Sequence, residues 1–101
     1  VNLRQFYTGS PETLVTLARV MYEEVKHGDP TALVVSPSFT NGMDGVRALD
    51  RYLALGGGNF ADVIAFHFYT PRGAPEAMLA IVAQVRAVMS AHDIGDKPLW
   101  N

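Results

Sequence analysis

Cysteine is absent from the 101 residues, which excludes a disulfide framework and any thiolate chemistry. Histidine is scarce: His27, His67 and His92 stand far apart, with no metal-ligand spacing between them, so no metal site is expected. No apolar run approaches the roughly 20 residues of a membrane-spanning helix. The opening "VNLRQFYTGS" has neither the basic end nor the apolar centre of a signal peptide. Positive charge is thin and dispersed. Eight Lys and Arg against ten Asp and Glu leave a formal net charge of -2. Neither a nucleic-acid partner nor an anionic membrane surface is therefore indicated. What remains is an ordinary globular composition, 49% hydrophobic and 18% charged, which argues against disorder. The length allows one domain at most.

Helical signals come first. Ser10 is a suitable N-cap, Pro11 fits the first helical position and Glu12 complements the helix dipole. Leu14, Leu17, Ala18, Met21 and Val25 follow at helical spacing as one buried stripe, and Gly28 and Pro30 end the segment. A second helix is predicted over Met43 to Leu55, broken by Gly56, Gly57 and Gly58, and a third from Pro75 to about Ala91. Between them lie "TALVVSPSF" (Thr31 to Phe39), "DVIAFHFY" (Asp62 to Tyr69) and "KPLW" (Lys97 to Trp100). These read as strands covered on both faces, because polar alternation is missing. Covered strands separated by amphipathic helices make parallel βα units, so the expected class is α/β. A closed (β/α)8 barrel and an open doubly wound sheet both use such units, and periodicity does not separate them.

In either architecture function gathers at the C-terminal ends of the strands. Here those ends are "SPSFT", "HFYT" and "WN". His67 and Tyr69, two apart, point to the same face and could donate hydrogen bonds to a carboxylate or to sugar hydroxyls. A capped core histidine beside an amphipathic tyrosine is the structural alternative. Trp100 offers an apolar face on which a pyranose ring could stack, or it could cap the core. Asn101 could hold a substrate hydroxyl. Ser36 and Ser38, around Pro37, could project polar groups or form a turn. "GGGNF" leads from a helix into a strand, the reverse of a phosphate-cradling glycine loop, and reads as a connector. "TPRGAPEA" holds one arginine, Arg72, and one glycine before its helix, too little for a phosphate cradle. No "G-x-S-x-G" elbow is present. All ten acidic residues fall on helices or on loops entering strands, and none at a strand's C-terminal end.

Taken in order, "FYTGSPETL", "VVSPSF", "DVIAFHFY" and "DKPLWN" resemble the central portion of retaining glycoside hydrolases with a (β/α)8 TIM barrel, in the clan containing families 5 and 39. The resemblance covers essentially the whole chain. It implies a single partial glycoside hydrolase barrel segment over residues 1–101, from the loop after strand four through helix four to strand seven. His67 and Tyr69 match the "H-x-Y" such enzymes often place on strand six, where the tyrosine lies close to the nucleophile. Trp100 and Asn101 match the approach to the nucleophile, commonly a segment similar to "KPLW-x-x-E". On this mapping the chain stops a residue or two short of that glutamate and starts after the Asn-Glu pair that carries the acid/base.

The implied activity is hydrolysis of O-glycosidic bonds by a retaining two-glutamate mechanism, with no cofactor and a carbohydrate substrate. His67, Tyr69, Trp100 and Asn101 would be substrate-binding residues. Retention needs two carboxyl groups about 5–5.5 Å apart. Neither lies in this chain, which is therefore expected to be inactive alone, with no catalytic residue of its own. Closing a barrel of about 250 residues would need the remainder of the barrel, and a three-strand piece would expose unpaired edges that invite association. The alternative from another functional class is a small non-catalytic α/β binding or interaction module.

Overall fold

The computed structural model describes residues 1–70 and 74–101. Arg72, considered above for phosphate binding, lies outside the described residues. Three helices dominate: α1 (Pro11–Gly28), α2 (Gly42–Ala54) and α3 (Pro75–Ala91). Their limits follow local chemistry. The Ser10 hydroxyl accepts from the Thr13 amide at 3.1 Å, so one orphan donor of α1 is satisfied, and Pro11 opens the helix. Asn41 and Gly42, both at positive φ, turn the chain into α2. "GGNF" forms a single 3-10 turn after α2, consistent with a connector.

The extended segments correct the expected architecture. Regular sheet is confined to β1 (Ile64–Ala65) and β2 (Leu99–Trp100), paired in parallel with Ile64 opposite Leu99 and Ala65 opposite Trp100. The chain is mostly helical, and the alternating βα units of a partial (β/α)8 barrel are not evident among the described residues. "TALVVSPSF" contributes only isolated parallel bridges, Val35 with Val63 and Phe39 with Phe66.

The cause is side-chain competition for the backbone. Phe39 is four positions beyond Val35 while Phe66 is three beyond Val63, so one residue is surplus and the segment bulges around Pro37, which has no N–H to give. The Ser36 hydroxyl accepts from the Ala65 amide at 2.9 Å, and the Asp62 carboxylate accepts from the Val34 amide at 2.8 Å. Both amides are thus taken by side chains rather than by ladder carbonyls.

Asp62 also meets the Lys26 ammonium at 2.8 Å, and that ammonium donates to the Ala32 carbonyl at 2.7 Å. Together they tie the end of α1 to the start of the extended segments. The Lys26 hydrogen bond, followed by that from Val34, holds the Asp62 carboxyl below the usual carboxylate range. A depressed carboxyl contributes stability above its unfolded pKa and loses it as pH falls through the folded one. Urea denaturation across a pH series should therefore show stability falling on acidification through the carboxylate range. Asp62→Asn should be less stable at neutral pH and show a shallower fall, with Glu12 and Asp29, also held low, supplying the rest.

The core sits between β1 and the helix pair α2 and α3. Leu49, Ile64, Phe66, Val85 and Met89 are each buried to within 1% of completely, and Phe39, Tyr52 and Ile94 close its ends. The α1 stripe is less covered than its spacing indicates. No α1 residue is fully buried, and Leu17 and Met21 are 56% and 62% exposed. Leu14, Val15 and Ala18 reach the core, and Tyr22 meets Phe60 edge-on at 6.3 Å. Leu17 and Met21 border a groove whose opposite wall includes Val34, Val35 and Pro37. Helical periodicity marks the apolar face without stating what covers it.

Candidate functional site

The chain beyond β1 stays extended, so alternate side chains diverge. Phe66 and Phe68 turn inward, their rings 4.9 Å apart, with Phe68 half-buried against the core. His67 and Tyr69 turn to the other side and stack at 5.5 Å with 25° between their planes. The backbone at His67 is held by the Phe39–Thr40 segment. The His67 amide donates to the Phe39 carbonyl at 2.8 Å, and the Thr40 hydroxyl donates to the His67 carbonyl at 3.4 Å. Thr40 is itself held by Asn2, whose carboxamide accepts from the Thr40 amide at 2.9 Å and donates to its carbonyl at 2.8 Å.

This places the aromatic pair on a cavity of about 490 Å³, whose other walls include Leu3, Phe6, Ser38 and Thr40. Tyr69 also borders a second hollow of about 490 Å³ with Thr40, Asn41 and Thr70. Tyr69, 76% exposed, therefore stands between the two hollows. Among the described residues the lining offers an imidazole, a phenol, the Gln5 carboxamide, two aliphatic hydroxyls and apolar surface, but no carboxylate. Such a set can grip a polyhydroxylated ring. It cannot supply paired-carboxylate chemistry.

Trp100 and Asn101 stand next to this cavity rather than in it. Trp100 pairs with Ala65, which shares the alternation of His67 and Tyr69, so by register its side chain belongs to their face of the extended segment. It is 51% exposed and is not one of the cavity walls. The Asn101 carboxamide accepts from the Phe68 amide at 3.4 Å and so engages the backbone between the two stacked residues. Leu3, Phe6 and the Asn2 clamp were not legible in the sequence, because they reach the site from a loop 38 positions away from Thr40. Among the described residues no helix is long and apolar enough to cross a membrane, and no group of three or more His, Asp or Glu is placed to hold a metal ion. Comparison of the sequence with protein-family models and with curated proteins, and of the fold with solved structures, found no match.

Proposed function

We propose that this chain supplies part of the sugar-binding wall of a glycoside hydrolase that cleaves O-glycosidic bonds by a retaining two-glutamate mechanism, both glutamates lying outside these residues. The observation that carries the reading is the stacked His67–Tyr69 pair at the mouth of a hydroxyl-lined cavity. A pyranose presents apolar C–H faces and a rim of hydroxyls. The exposed Tyr69 ring matches the first, while His67, Ser38 and Thr40 match the second. The cavity volume lies within the range of small-ligand sites. Trp100, exposed on the same face, offers a second stacking platform, and Asn101 steadies the strand end that presents the pair.

With no carboxylate on its walls, the isolated chain binds sugars without hydrolysing them. Calorimetric titration with methyl and 4-nitrophenyl glycosides of the common pyranoses tests this. At least one should bind saturably without release of nitrophenol. Tyr69→Ala should weaken that binding roughly tenfold by removing the stacking face. Because the ring is largely exposed, the urea midpoint should stay in place. Equal affinity in the variant would sink the reading.

A further inference from the structure

The extended segment before Pro37 presents a free edge. Val35 is bridged to Val63 through its neighbours: the Ser36 amide donates to the Val63 carbonyl at 2.9 Å, and the Val63 amide donates to the Val34 carbonyl at 3.2 Å. In a bridge of this form the N–H and C=O of Val35 itself point away from Val63. They have no partner among the described residues, and neither have those of Leu33, two positions earlier. Both side chains are exposed, as are Leu17 and Met21 of α1, which border the groove beside this edge. An unpaired edge flanked by apolar side chains is a template for one more strand. We propose that a second copy of the chain supplies it, the two Leu33–Val35 edges pairing antiparallel across a two-fold axis at Val34.

That register uses every free group. In an antiparallel ladder a hydrogen-bonded pair exchanges both of its bonds. Leu33 opposite the partner's Val35, and Val35 opposite the partner's Leu33, therefore satisfy the N–H and C=O of both residues in both copies. A slip of one residue would offer Val34 and Ser36 instead, whose amides are already given to Asp62 and Val63. The cross-strand pairs are all apolar, and the axis brings the two Leu17 and Met21 stripes to the same interface. A two-fold contact also sets like charge near like charge. Here neither residues 31–36 nor the groove lining carries any, and Lys26 and Asp62, which hold the segment in place, are paired with each other. Pro30 and Pro37 confine the pairing to the residues between them. The edge shares no residue with the His67 and Tyr69 cavity.

Sedimentation equilibrium of the full chain from about 5 μM to about 500 μM tests the proposal. The mean mass should rise from the 11.0 kDa of one chain toward twice that value and no further. Over the same range amide hydrogen exchange at Leu33 and Val35 should slow severalfold. Leu33→Lys, at an exposed position, brings like charges to the axis and should weaken association at least tenfold, with the urea midpoint of the dilute chain unchanged. A mass that stays at one chain throughout overturns the proposal and would leave the edge to a strand of a different polypeptide. Association that persists undiminished in Leu33→Lys, or that leaves exchange at Leu33 and Val35 at its dilute rate, overturns it equally, because the contact would then lie elsewhere on the surface.

Discussion

Gly45→Ala is expected to abolish the cooperative unfolding transition or reduce stability by about 3 kcal/mol or more, a large part of the roughly 5–15 kcal/mol that holds a small domain together. Gly45 is buried in the first turn of α2, where a Cβ would run into the carbonyl of Thr40 and stand 2.9 Å from the Phe66 ring. The first obstacle is backbone, which no rotamer change relieves. Thr40 also holds the His67 carbonyl, so the displacement reaches the cavity proposed to bind sugar as well. Gly28→Ala is the matched control. It lies at the end of α1 with nothing within 4 Å of a new Cβ, and alanine there should be neutral or stabilising by up to about 1 kcal/mol. Thermal and urea melts of the two variants, followed by circular dichroism, should separate sharply.

Phe66→Ala should cost about 3–5 kcal/mol, through lost apolar burial and the void it leaves between β1 and α2. The ring is 1% exposed, and the Phe66 amide donates to the Trp100 carbonyl at 3.0 Å. The side chain fixes the core at the point where β2 is attached. A lower urea midpoint with an unchanged denaturant slope is the expected signature. Sugar affinity should fall together with stability in this variant, because its neighbour His67 loses its support. Tyr69→Ala should reduce affinity alone. That contrast distinguishes a binding residue from a residue that holds the binding residue in place.

The helices were legible because their signals are local. Ser10, Pro11 and Gly28 bound α1, Pro75 opens α3, and each acts within one turn of its own position. The strands were legible only in part: "DVIAFHFY" and "KPLW" hold the short parallel pair, while "TALVVSPSF" forms no regular strand, because an apolar run reports burial without reporting which group takes each backbone hydrogen. Ser36 and Asp62 decide that, and their partners lie 29 and 28 positions away. The α1 stripe fails for a related reason, since periodicity identifies a face and not its cover. At the proposed sugar site, the two-residue spacing of His67 and Tyr69 was enough to align their rings. The loop residues that complete the cavity carry no local sign of doing so.

The shared face of His67 and Tyr69 is where a sugar ring should rest. Amide-shift mapping of the labelled chain during titration with methyl glycosides examines this residue by residue. Saturable shifts concentrated at Thr40, His67 and Tyr69, lost in Tyr69→Ala while the rest of the spectrum is retained, are the expected result. Shifts absent from these residues for every glycoside, or persisting unchanged in Tyr69→Ala, would contradict it.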